Sequence, residues 1–542
     1  MKRGIFLIVG LGAALALGAV RSAAADESYG VRTCSTGLVI CAEAAEAVGL
    51  NSAYTGHDEP SLLFYSNTPG SGNSSLYTLT LPSDPKVLPN QQGTGGTWNF
   101  QLRPAFWFGM AMCDTQSFPE HSSTCTPDSD TNVFDNANPS APDYIGNHPG
   151  TAFMEMQFYP PGWAPWPAGV SCDATKWCAA LTIDSLNEDP NGPTLNNADC
   201  LNRVGLEPVS FAFITKSGQP HAAPDPLSVF SPPFDALTPN PATDLFMSSG
   251  DTLTVDLHDT PAGFQVVIHD LTSGQSGSMT ASVANGFEQV NFDPTASQCT
   301  ETPYAYHPEY STSSEHTRVP WAAHTYNVAF SDEIGHFEYC NAADVFGNCT
   351  DPGVSDPGGL DGDDAGCFNA DDSLLVQITG CIATDNDFDG PVYGPTWPGT
   401  GRNRGQDAKY HSTPVEFTSP LFNGGQNYDR VGFEADLPRI EAADFGGSCN
   451  RTTGAGCTNP PPGASFYPIY TTGSSTGNHS SHARCVWHLG GPSIKGTTNT
   501  FGGNSTAEYG PLLQSVYPGA GGQPVFRYNN FRRVLGSNPC PA

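Results

Sequence analysis

Positive charge is scarce in this sequence. Its 542 residues include 21 lysines and arginines against 54 aspartates and glutamates. That balance argues against nucleic acid and anionic membranes as partners, because both are polyanions. Long apolar runs are missing after the first 25 residues, so no later stretch offers the ~20 apolar residues of a membrane span. No two cysteines have C-x-x-C spacing, which argues against a zinc-ribbon site. HExxH and H-x-H pairs are absent as well, and with them the sequence marks of zincins and multicopper sites. No repeat of fixed period is present. Helical periodicity is confined to residues 41–50, CAEAAEAVGL, for barely two turns. The C-terminal RRVLGSNPCPA shows neither a hydrophobic tail nor a lipidation motif.

What is present begins with an export signal over residues 1–25. Lys2 and Arg3 precede a short apolar stretch, 5–20, and Ala23-Ala24-Ala25 fits small-residue cleavage. The mature chain is then expected to start at Asp26. Loss of Lys2, Arg3 and Arg21 lowers the basic residues from 21 to 18 against 54 acidic ones, a net charge of −36. The expected location is secreted and extracellular, with no membrane attachment after cleavage. The 16 cysteines agree, since an even set in an exported chain reads as disulfides. Neighbours can close short loops: Cys34 with Cys41, Cys113 with Cys125, Cys172 with Cys178, Cys340 with Cys349, Cys367 with Cys381, and Cys449 with Cys457. Cys200, Cys299, Cys485 and Cys540 are left for longer links, and spacing alone does not settle the connectivity.

Hydrophobic residues make up 38% of the chain and charged residues 14%, so the acidity does not imply disorder. Short strand-like segments bounded by turn residues dominate. LYTLTLP (76–82) and FMEMQFYPPG (153–162) alternate apolar and polar residues. AFWFGMAMC (105–113) is a run suited to a buried strand. AALTIDS (179–185), SFAFITKSG (210–218), DTLTVDLHD (251–259), HTYNVAFSD (324–332), DSLLVQITG (372–380) and PVEFTSPLF (414–422) follow the same style. In FQVVIHDLTSGQSGSMTAS (264–282), Gly274 sits between two arms, as in a hairpin. The expected class is all-β, with one large or two to three packed antiparallel β-sandwich, jelly-roll-like units and long disulfide-clipped loops. The Pro-rich 217–244 segment and the acidic, Gly-rich 351–366 segment suggest connectors. They divide the chain into an N-terminal β-sandwich domain (26–240), a central β-rich segment (241–350) and a loop-rich C-terminal domain (351–542). Ordered loops within a single domain would have the same composition.

The stretches GHDEPSLLFYSNTPGSG, FMEMQFYPPGWAPW, CDATKWCAALTIDS and EHTRVPWAAHTYNVAFSDEIGHFEYC resemble a group of secreted microbial proteins without an assigned activity. They span most of the mature chain. The resemblance implies export and a shared fold, and it supplies no catalytic residues.

Three constellations can carry chemistry. In TDNDFDG, Asp385, Asp387 and Asp389 alternate and Gly390 follows, a pattern that wraps oxygens around Ca2+. An EF-hand needs Glu at the twelfth position, where Thr396 stands, so the loop would hold a structural ion in another geometry. Asp128, Asp130 and Asn132, and Asp361, Asp363 and Asp364, are poorer versions. The second constellation is the 315–340 segment. Its His316, His324 and His336 are candidate ligands for Cu or Zn, although most such histidines are simply bonded within the fold. His258-Asp259 and His269-Asp270 add a weaker set. The third is a carboxylate pair. Glu155 lies in an apolar run, on one strand face with Gln157 and Tyr159, and Glu338 is flanked by Phe337 and Tyr339. Desolvation raises such an acid's pKa, as a proton donor requires. Trp163 and Trp166, on the stiff PPGWAPWP loop, can stack on sugar rings or lid a core.

These readings lead to three functions. One is a secreted protein that binds or hydrolyses polysaccharide, with Glu155 and Glu338 catalytic and Trp163 and Trp166 holding substrate. Another is a Cu- or Zn-dependent extracellular oxidoreductase or hydrolase. The last is a calcium-stabilised structural or adhesive protein without catalysis.

Overall fold

The computed structural model describes residues 32–33, 56–58, 61–82, 100–116, 151–161, 172–189, 194–308, 329–336, 340–343, 349–352, 415–436, 470–474, 484–489, 512–518 and 524–541. Within these ranges the positions 67, 69, 115, 160, 174, 186 and 206 are excepted.

Apolar–polar alternation makes a strand bury one face, and this organises the smaller of two main sheets. In Thr252–Thr260, Leu253, Val255 and Leu257 are fully buried, while Thr254, Asp256 and His258 lie on the opposite, partly exposed face. The strand pairs antiparallel with Ser74–Thr80 on one side and Gly263–Asp270 on the other. Gly263–Asp270 turns through Gly274, at φ +77°, into Ser276–Thr280, which makes the expected hairpin. Glu416–Phe417, Cys485–Leu489 and Tyr470–Ser474 extend the sheet beyond Ser74–Thr80.

The larger sheet has 12 strands among the described residues. Its central order is Pro524–Val534, Arg430–Asp436, Ser61–Tyr65, Ala329–His336, Phe100–Cys113, Thr151–Tyr159, Lys176–Asp184 and Val209–Phe213, all antiparallel. Here residues on both faces are buried. Every residue of Lys176–Asp184 after Lys176 is buried, so the pattern is a continuous run rather than an alternation. Polar side chains on this sheet's outer face, Gln157, Thr182 and Asp184 among them, are therefore buried, which matters for the site described below.

The inner faces of the two sheets meet in one core. Leu62, Phe64, Phe106, Phe108, Met154, Met156, Phe158 and Trp177 come from the larger sheet, and Tyr77, Leu79, Val255, Val266, Ile268, Phe417 and Trp487 from the smaller. The Tyr77 and Phe108 rings pack with centroids 4.5 Å apart. Burying one such side chain contributes roughly 1.5–3 kcal/mol. The class is thus all-β and antiparallel, in a sandwich arrangement, as expected.

Strands from all three expected segments interleave in both sheets. Ser61–Tyr65 lies between Ala329–His336 and Arg430–Asp436, and Ser74–Thr80 lies between Thr252–Thr260 and Glu416–Phe417. The stretch taken as a connector, 217–244, is ordered structure. It holds the short helix Pro226–Val229 and a 3-10 turn, Asp235–Leu237, and it covers Tyr159, Phe211 and Phe213 on the outer face of the larger sheet. Its prolines shape a packed loop rather than a linker. The helix Ala198–Val204, unexpected from periodicity, starts at Asn197. That side chain accepts from the Cys200 N–H, and Gly205 follows the last turn at φ +72°. The strand expected at 324–332 is described over Ala329–His336, and residues 324–328 lie outside the described residues. The helical segment 41–50 and the strand 372–380 lie outside the described residues.

Three disulfides are described. Cys172–Cys178 matches its expected neighbour pairing. Cys200–Cys299 and Cys485–Cys540 are long links made by the four cysteines left over. Cross-links of this kind form in an oxidising compartment. No helix among the described residues is long and apolar enough to cross a membrane.

Candidate functional site

The strand Thr151–Tyr159 lies between Phe100–Cys113 and Lys176–Asp184. Its even-numbered residues Met154, Met156 and Phe158 enter the core. Its odd-numbered residues Glu155, Gln157 and Tyr159 therefore share the outer face. Register decides what they meet there. Glu155 stands opposite Gly109 on one side and Thr182 on the other, and Phe153 stands opposite Asp184. Glu155 and Asp184 are thus diagonal neighbours on one face, where Cα atoms lie about 7–8 Å apart and long side chains meet.

Hydrogen bonds join this face into one polar group. Gln157 Nε2 donates to Glu155 Oε2 at 2.6 Å. Gln157 Oε1 accepts from Thr182 Oγ1 at 3.0 Å and from the Tyr159 hydroxyl. Gln157, Tyr159 and Thr182 are fully buried, and Asp184 is 3% exposed. Asp184 Oδ1 has no hydrogen-bond partner among the described residues. Burial pushes the Asp184 carboxyl well above the usual carboxylate range, and the nearby charges of Glu155 and Glu207 push it further. Glu207 comes from the turn leading into Val209–Phe213, whose Val209 is opposite Asp184.

An apolar wall stands beside Glu155. The Trp107 and Phe153 rings meet edge to face at 5.5 Å, and both are buried. They close over Gly109. A Cβ built there would lie 2.5 Å from Trp107 Cζ3 and 2.7 Å from Phe153 Cζ. Glycine is what lets the two rings come down onto the sheet next to the carboxylate. The result is a group of carboxyls on one sheet face, Asp184 buried and Glu155 partly buried beside an apolar wall, a setting in which neighbouring acids differ in protonation.

Of the residues picked from sequence, Glu155 occupies this cluster. Glu338, Trp163, Trp166, His316, His324, Asp385, Asp387 and Asp389 lie outside the described residues, as do the two poorer acidic loops. His336 ends its strand opposite Gly56. Among the described residues no group of three or more His, Cys, Asp or Glu is placed to hold a metal ion. The His258-Asp259 and His269-Asp270 pairs are not brought together. Thr254, not His258, is opposite His269. The four-residue offset separates the two histidines by roughly 13 Å along the strand. His258 instead contacts Asp256 at 3.3 Å, and His307 contacts Asp259 at 2.8 Å. Sequence reading placed Gln157 on the Glu155 face without giving it a role, and missed Asp184 and Thr182. One signal was there for Asp184: an acid ending the apolar strand AALTID.

No protein-family model matches the chain, and no curated protein matches it. Two solved structures overlap it over 80% of this chain and 98% of theirs. One is Scytalido-glutamic peptidase with a peptide-based transition-state analogue, at 9% identity and a TM-score of 0.20. The other is SCP-B, a member of the eqolisin family of peptidases, with the tripeptide Ala-Ile-His, at 8% and 0.19. Likeness at this level carries neither fold nor activity across.

Proposed function

We propose that the chain is an extracellular hydrolase that cleaves polysaccharide by acid–base catalysis, with Asp184 as proton donor and Glu155 as the carboxylate. The observation behind this reading is a buried Asp184 on the same sheet face as Glu155, its carboxyl pushed above the usual range by burial and by the Glu155 and Glu207 charges. Glycoside hydrolysis needs such a pair, one acid neutral to protonate the leaving oxygen and one ionised to act on water or on the sugar. In this reading Asp184 replaces Glu338 as the second acid of the pair expected from the sequence. Trp163 and Trp166 are proposed to stack on the sugar rings.

A second reading rests on the same adjacency. Two carboxyls sharing one proton also hydrolyse peptide bonds, the neutral one polarising the carbonyl while the ionised one activates water. The test is a screen of the purified protein against polysaccharides and denatured proteins between pH 3 and 7, beside Glu155→Gln and Asp184→Asn. Wild type should release reducing ends, and each variant should lose at least ~100-fold in kcat/KM. Release of peptides alone would move the assignment to the second reading. Activity that survives in both variants would sink both readings.

A further inference from the structure

The carboxamide of Gln157 has two possible orientations, and its neighbours select one. Its oxygen receives the hydroxyls of Thr182, at 3.0 Å, and Tyr159, so its nitrogen must face Glu155, at 2.6 Å. The reverse orientation would set Oε1 against the Glu155 carboxylate, acceptor against acceptor, and would turn both hydroxyls from donors into acceptors. All three supporting groups are fully buried, so water does not compete for them. An N–H donated to a carboxylate favours its ionised form. Asp184 Oδ1 has no such partner among the described residues. A proton shared by the cluster therefore belongs on Asp184. Among the described residues the charged groups facing it are Glu155 from the adjoining strand and Glu207 from the turn before Val209. On the far side of Glu155 stand Gly109, Trp107 and Phe153, which carry no charge.

We propose that Gln157 is a positioning residue: locked by Thr182 and Tyr159, its amide holds Glu155 as the aimed, ionised carboxylate and leaves the cluster's proton on Asp184. Gln157 donates directly to Glu155, so it acts through that carboxylate. The inference rests on the hydrolase reading for its consequence in catalysis, and on geometry alone for the lock.

The test uses the full mature chain, with the pH dependence of kcat/KM and the side-chain NH2 signals of Gln157 in 15N-labelled protein. In wild type the two NH2 protons should be well separated in shift and should move together as the carboxyl cluster titrates. Thr182→Val keeps the shape and removes one donor. It should collapse that separation, lower kcat/KM about tenfold with little change in KM, and move the acid limb of the profile to higher pH. Thr182→Ser restores the hydroxyl and should restore all three properties. A Thr182→Val protein with wild-type NH2 signals and an unmoved profile would overturn the lock. The NMR arm needs no substrate. If no polymer is cleaved but the NH2 signals behave as described, the hydrolase reading fails and the lock stands.

Discussion

Glu301 offers a direct test of how this acidic chain holds its carboxyls. Its Oε1 accepts the Leu227 N–H at 2.7 Å, at the start of the helix Pro226–Val229. Asp225 caps the same helix by accepting from the Ser228 N–H at 2.9 Å. Glu288 approaches from the paired strand, where it is opposite Pro303. Burial, with help from Asp225 and Glu288, pushes the Glu301 carboxyl from 4.5 up to about 8, against the pull of the Leu227 N–H. A raised acid keeps its proton in the folded state while the unfolded chain releases it. The associated stability is complete below pH ~4.5 and is lost as pH rises towards ~8. The shift sets a ceiling of about 5 kcal/mol. Glu301 is only partly buried, so solvent screening reduces the expected value to about 1–2 kcal/mol. Glu301→Gln keeps the acceptor for Leu227 and cannot ionise. Urea unfolding of both proteins from pH 5 to 9 is the assay. The variant should match wild type at pH 5 and exceed it by about 1–2 kcal/mol at pH 8–9. Stability curves that stay parallel across this range would refute the reasoning.

Two further predictions concern the outer face of the larger sheet. Gly109→Ala places a methyl against Trp107 and Phe153, where overpacking costs about 1–3 kcal/mol. A melting temperature within one degree of wild type would show that the two rings give way freely. His221 has Asp244 Oδ1 at 2.8 Å on Nδ1 and the Asp235 carbonyl at 3.0 Å on Nε2, acceptors on both sides, and its pKa is raised chiefly by the Asp244 bond. It pins the 217–244 segment as a cation, and its contribution is present at acid pH and lost as pH rises through its raised pKa. His221→Phe should therefore destabilise by about 2–4 kcal/mol at pH 5, since it strips a fully buried Asp244 of a partner, and by less at pH 9. Equal losses at the two pH values would contradict a charged His221.

Much of the strand plan was legible because alternation is a local property. Leu76, Thr78 and Thr80 on one face of their strand and Tyr77 and Leu79 on the other can be read from the order of residues alone. So can the shared face of Glu155, Gln157 and Tyr159. Gly274 marked a hairpin because a tight turn there needs a positive φ. The Pro-rich 217–244 stretch misled because proline marks irregular backbone, and an irregular backbone packs as well over a sheet as it links two domains. The Ala198–Val204 helix went unseen because seven residues are too few for a period, although Asn197 and Gly205 bracket it.

The candidate site divides the same way. An acid in an apolar strand pointed to Glu155, since the cost of burying a charge follows from its immediate neighbours. Asp184 could not be joined to it from sequence, because the register that sets Phe153 opposite Asp184 belongs to a pair of strands and not to either one.

By itself the sequence determined a very acidic, cysteine-rich chain of short strands, each with a core face and an outer face. Tertiary structure alone decided that strands from the whole length interleave in two sheets, and that the outer face of one is buried as well. The reason is physical. A period of two is written along the chain, but desolvation depends on what covers a face and proton sharing on which strand lies beside it. Both are set by distant segments, and together they turn an ordinary glutamate, glutamine and aspartate into one coupled group.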